Sequence, residues 1–162
     1  MKVLIAFYSK TGRTKKVAEE IATAVKSDGH EAVLREIIPR QNLKASKYPK
    51  REKGVRLVEP PIELEGFDLV FVGTPVWNFC PTPIITTYLR ALVIKKSKKF
   101  ALFSTCTALP GTTTKRMTNI LATRKGEVVG TINLNSFFEI DELVLKRARD
   151  FAIKTVSLIN AP

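Results

Sequence analysis

The sequence predicts an α/β fold, an open, doubly wound parallel sheet with helices on both faces. Three observations predict it. Five short apolar runs alternate with stretches whose apolar residues recur at helical spacing. The runs Val3–Phe7, Leu69–Val72 and Phe100–Phe103 are apolar throughout, as strands covered on both faces are. The first run passes through a hydroxyl-rich turn straight into a helix pattern, the opening of a strand–helix–strand unit with a right-handed crossover.

Each element follows from its own pattern. Val3–Tyr8 reads as a buried first strand, and Val17, Ile21, Ala24 and Val25 mark the inner face of the first helix. Asp28-Gly29 stops that helix. His30–Ile38 reads as a second strand, whose Glu31, Arg35 and Glu36 suit an edge. His30, the single histidine, is expected at a solvated strand start. Pro39–Gly66 is irregular and basic, with room for at most a short or distorted helix; a long loop of this kind is a solvated face or a docking element. Phe67–Gly73 is a central third strand, and a helix with Ile85, Tyr88, Leu89 and Leu92 inward starts at Thr82. Lys99–Ser104 is a fourth strand. A helix over about 112–124 follows, with Met117, Ile120 and Leu121 inward and Gly126 as its stop. Glu127–Leu134 is a fifth strand, and Asp141 caps a final helix carrying the stripe Val144, Ala148, Phe151, Ala152, Thr155, Ile159.

Length and composition bound the class. The 162 residues fit one domain spanning residues 1–162, with a sizeable core. No apolar run approaches the ~20 residues that span a bilayer, and no signal-peptide pattern opens the chain, so a cytoplasmic location is expected. Cys80 and Cys106 are too few for a disulfide scaffold; they read either as separate small apolar residues or as a reducible pair. With 27 Lys+Arg against 15 Asp+Glu the chain carries a formal +12, a field that attracts acidic partners, nucleic acid or anionic surfaces. No zinc-ligand spacing, paired carboxylates or histidine–nucleophile constellation marks a separate catalytic apparatus.

The chemistry gathers in the loops after the first, third and fourth strands. In an open parallel sheet such loops meet at the carboxyl edge, where strand order reverses. The turn Ser9-Lys10-Thr11-Gly12-Arg13-Thr14 aims first-turn N–H groups and the positive helix end at one spot, and its hydroxyls add donors. It suits a phosphate monoester. It has neither the Walker spacing nor the three glycines of the dinucleotide fingerprint.

These residues resemble the flavodoxin family. The turn is similar to that family's phosphate loop, Ser/Thr-x-Thr-Gly-x-Thr; the other motifs are Gly73-Thr74-Pro75-Val76-Trp77 and Phe103-Ser104-Thr105-Cys106-Thr107. The resemblance covers nearly the whole chain and implies a five-stranded sheet of order 2-1-3-4-5 with flavin mononucleotide (FMN) at its edge. It implies that Ser9, Lys10, Thr11, Gly12, Arg13 and Thr14 hold the phosphate. Thr74, Pro75, Val76, Trp77, Asn78 and Phe79 would flank the flavin ring, with Trp77 stacked on it. Thr105, Cys106, Thr107, Ala108, Leu109, Pro110 and Gly111 would close the other side. The sequence departs from the family pattern in that second flanking loop, which has neither an aromatic residue nor a carboxylate, and in its basic balance. The expected function is redox: electron transfer to a partner protein of acidic surface, or reduction of a small acceptor such as a quinone. The competing reading is a basic binding module for nucleic acid or an anionic surface on the same fold without cofactor. Nucleic acid is the weaker of these partners, because the basic residues are not interleaved with aromatics on one face.

Overall fold

The computed structural model describes residues 1–44 and 54–160. Its elements run β1 (Lys2–Phe7), α1 (Arg13–Ser27), β2 (Glu31–Glu36), β3 (Leu69–Trp77), β4 (Cys80–Pro81), α2 (Pro83–Ala91), β5 (Lys98–Cys106), α3 (Thr113–Ala122), β6 (Gly126–Asn135) and α4 (Glu142–Asn160). Five parallel strands stand in the order β2-β1-β3-β5-β6. This is the expected order. β4 adds a two-residue antiparallel return on the end of β3.

Alternation along the central strands divides the core in two. Val3, Ile5, Phe7, Leu69, Phe71, Ala101 and Phe103 pack under α1 and α4. Leu4, Ala6, Val70, Val72, Phe100 and Leu102 pack under α2 and α3. Each such side chain, taken fully out of water, contributes about 1.5–3 kcal/mol before entropy is charged. The helix stripes face where the spacing put them: Val17, Ile21, Ala24 and Val25 are buried on α1, and Val144, Ala148, Ala152 and Thr155 on α4. Asp141 caps α4 through its carboxylate, which accepts the Val144 N–H at 2.9 Å.

The ends of three elements differ from expectation. β3 runs on to Trp77 and β5 to Cys106, because the two strands keep pairing, Thr74 with Ser104 and Pro75 with Thr105, after β1 has ended. The Gly73 carbonyl accepts from Tyr8 N–H at 3.1 Å. Alternation turns Pro75 to that same side, past the end of β1, where its missing N–H leaves no strand partner short. α3 stops at Ala122, and the left-handed residue behind it is Lys125 (φ 61°), while Gly126 opens β6. Between Pro39 and Gly66, expected to hold at most a short or distorted helix, the described residues hold none, and Pro39 bridges Leu57 antiparallel. The basic positions Lys47, Lys50, Arg51 and Lys53 lie outside the described residues. His30, at the opposite end of the sheet from the loops, has Nδ1 3.3 Å from the amino terminus and Nε2 3.5 Å from Asp28.

Candidate functional site

The loops after β1, β3 and β5 come together at the carboxyl edge of the sheet. The loop after β1 enters α1 at Gly12, which takes φ 86° as the residue before the helix. A β-carbon there would meet nothing within 4 Å, so the surface over the turn is open to a close-fitting group. The first-turn N–H groups of α1 have no intrahelical acceptors. One is satisfied locally, Lys15 N–H donating to Ser9 Oγ at 3.2 Å. Thr11 and Gly12 are exposed.

The hydroxyl of Thr14 is buried and lies 2.8 Å from that of Thr105. This single bond joins the first turn of α1 to the end of β5. Lys10 donates to Asn42 Oδ1, and the Arg13 guanidinium donates to the Ser136 carbonyl. Ser136 N–H in turn donates to the Cys106 carbonyl at 3.0 Å. Arg13 Nε is buried and has no partner among the described residues. Burial pushes the Cys106 thiol up, and the Arg13 guanidinium opposes that shift. Cys80 and Cys106 are both free thiols on this edge.

The end of β3 is a tight hairpin. Asn78 (φ 50°) and Phe79 (φ 62°) are its two central residues, both left-handed as a type I′ turn demands. Thr74 is fully buried, and its hydroxyl accepts the Thr82 N–H at 3.1 Å, so it is spent inside the hairpin. Trp77 is half-buried and meets the Tyr8 ring edge to face, with centroids 5.9 Å apart and planes at 85°. The hairpin is fastened to the loop after β5: the Phe79 carbonyl accepts the Thr112 N–H at 2.9 Å. Gly111 (φ 57°) lies so close that a β-carbon on it would stand 2.3 Å from that carbonyl oxygen. Thr107, Ala108 and Leu109 are exposed, and the Ala108 carbonyl accepts from Asn135 Nδ2 at 2.8 Å.

The residues of the three loops expected to hold the flavin lie at this edge. Thr105 and Cys106 are buried strand residues, so the loop proper starts at Thr107. Phe79 and Leu109, 60% and 65% exposed, leave apolar surface on the two facing loops. Sequence reasoning missed Tyr8, Asn42, Thr112, Asn135 and Ser136. Tyr8, Thr112 and Asn135 stand at element ends on this same edge, and that position was the one signal available.

Phe79 holds a conformation that L-residues adopt at a cost of about 1–2 kcal/mol, and a bulky residue rarely takes it. Asn-Gly is the favoured pair for this turn. Phe79→Gly is therefore expected to raise the thermal midpoint by a few degrees, about 1 kcal/mol after the extra chain entropy of glycine. The same change removes an apolar side chain from the edge and is expected to weaken ligand binding. A lowered midpoint would show that the Phe79 side chain stabilises the fold.

Among the described residues no helix is long and apolar enough to cross a membrane, and no cluster of His, Cys, Asp and Glu fits a metal ion. A family model described as flavodoxin matches residues 2–129. Among curated proteins none matches the chain. Solved structures match along almost the whole length at low identity. Oxidised flavodoxin 1 from Bacillus cereus is 18% identical with a TM-score of 0.67, the match covering 97% of this chain and 98% of that one. A WrbA-like flavodoxin from Agrobacterium tumefaciens is 16% identical with a TM-score of 0.68, covering 98% and 96%. A Lactobacillus acidophilus flavoprotein solved in complex with FMN is 24% identical with a TM-score of 0.64, covering 82% and 92%. At these identities the structural likeness speaks for the fold alone.

Proposed function

The chain belongs to the flavodoxin family, and from that premise we propose that it binds FMN at the carboxyl edge of its sheet and reduces a small acceptor such as a quinone. The observation that carries this reading is the meeting of the phosphate-loop turn with both flanking loops, sealed by the Thr14–Thr105 hydroxyl bond. The Lactobacillus acidophilus relative's FMN complex supports the choice of cofactor.

The donor set fits a phosphate dianion. The turn offers the Ser9 and Thr11 hydroxyls, the first-turn N–H groups of α1, an open Gly12 and the leftover buried Nε of Arg13. Thr14, also expected at the phosphate, ties the turn to β5 through its bond with Thr105. When bound, FMN supplies the electron chemistry; the protein supplies position and field. Trp77, Phe79 and Leu109 give apolar surface against which a flat ring loses contact with water. Val76, Asn78, Thr107, Ala108, Pro110 and Gly111 frame the same place with backbone groups.

The field favours a small acceptor over a one-electron relay. The loop from Thr107 to Gly111 has no carboxylate, and Arg13 is near enough to oppose the burial shift of Cys106. A cation near the ring eases the addition of negative charge, where a carboxylate would oppose it. Anaerobic reductive titration of the FMN-loaded protein is expected to show one two-electron wave, with reoxidation by a small quinone. Two well-separated one-electron waves would return the protein to the electron carriers.

A further inference from the structure

At the other end of the sheet, away from the flavin edge, a groove of about 630 Å³ runs between segment 60–66 and the stretch from Ala91 to Lys98 that enters β5. We propose that this groove is a docking site for an extended acidic segment of a partner protein, carrying apolar side chains between its carboxylates. This goes beyond the flavin reading and does not depend on it.

The walls are apolar. Pro60, Pro61 and Ile62 form one side, and Val93 and Ile94 the other. Val93 is 73% exposed, an aliphatic side chain left in water at the groove mouth. The wall is held in place, since Arg124 donates through Nε and a terminal nitrogen to the Leu92 carbonyl at the end of α2.

The rim carries three lysines against two carboxylates: Lys95, Lys96 and Lys98 line the groove with Glu63 and Glu65, and Lys99 follows them. Lys98 donates to the Phe67 carbonyl, so the excess positive charge facing the groove centres on Lys96. A carboxylate already sits among these ammonium groups: Glu65 pairs with Lys95 at 2.9 Å. The contact with Lys95, then the fields of Lys96 and Lys98, hold the Glu65 carboxyl below its ordinary value. Glu65 thus stands where a partner's carboxylate would gain from the same charges. The overall +12 steers acidic partners toward the molecule.

Other occupants fit worse. Single-stranded nucleic acid is held by bases stacking on aromatic side chains, and none of the described lining residues is aromatic. A bilayer presents a flat surface, whereas these apolar side chains line a concavity. An extended segment that alternates carboxylates with apolar residues meets both the rim and the walls.

The test uses the full chain and a panel of fluorescein-labelled hexapeptides alternating Asp or Glu with Leu or Val. Lysine-substituted peptides, an oligothymidylate and phosphatidylglycerol vesicles serve as comparators. Acidic peptides are expected to bind saturably, and the lysine versions at least about tenfold more weakly. Val93→Asp with Lys96→Glu is expected to lower acidic-peptide affinity about tenfold or more, with an unchanged thermal midpoint as proof of fold. The proposal is overturned by an absence of saturable binding, by equal binding of acidic and basic peptides, or by a double variant that binds as well as the parent. It is overturned equally if the double variant loses oligonucleotide or vesicle binding instead.

Discussion

Thr11→Glu is expected to weaken FMN affinity on the order of 10³-fold while leaving the fold intact. Thr11 is exposed on the turn that opens α1, so the new side chain disturbs no core contact. In the proposed FMN site it places a carboxylate against the phosphate dianion. At about 4 Å and an effective dielectric near 20, two like unit charges repel by about 4 kcal/mol, or three decades of binding. The helix N-terminus adds no relief, since its field is already shared with the phosphate. Equilibrium titration measures the loss, and an unchanged thermal midpoint separates it from misfolding. An affinity close to that of the parent would mean that the phosphate sits elsewhere.

Gly111→Val is expected to cost about 2–3 kcal/mol of stability and to lower FMN affinity with it. Two effects add. A β-branched residue at φ 57° is strained by about 1–2 kcal/mol. Its β-carbon would also stand 2.3 Å from the Phe79 carbonyl oxygen and 2.7 Å from the Phe79 α-carbon, both backbone atoms. The hairpin must then part from the loop, losing the Thr112 N–H bond, worth about 1 kcal/mol. The thermal midpoint should fall by about 5–10 °C. Gly12→Ala provides the comparison, because Gly12 has the same handedness but open space around it. It should lose only the strain. Equal losses in the two variants would show that the Phe79–Gly111 contact contributes nothing.

Much of this architecture is legible in the residues. The strand runs are short, apolar and evenly spaced, so burial on both faces could be read from Val70–Val72 and Phe100–Phe103 alone. Strand order came with the family resemblance, and the edge position of β2 from its charges. The loops were harder. Thr74 and Thr105 look like loop donors in sequence, yet each is turned inward to another threonine, 3.2 Å from Thr82 and 2.8 Å from Thr14. Such pairings join positions far apart in sequence and leave no local pattern. The left-handed Asn78-Phe79 turn lacks the glycine that announces it. Lys125, not Gly126, takes the positive φ behind α3, and Gly126 answers a need for space, since a β-carbon there would crowd Leu121 and Phe100 at 3.0–3.1 Å. The grip of Arg13 on Ser136 spans most of the chain and could be found only in three dimensions.

The most direct measurement is a comparison of FMN with riboflavin, titrated into the apoprotein and followed by the emission of Trp77, the single tryptophan. The two ligands share the ring and differ by the phosphate. If the turn from Ser9 to Thr14 wraps that dianion, several charge-assisted hydrogen bonds worth roughly 1.5–3 kcal/mol each are lost with riboflavin. FMN should then bind at least about a hundredfold more tightly, quenching Trp77 as it does so. Equal affinities for the two ligands, or emission indifferent to both, would contradict the assignment of this edge as the flavin site.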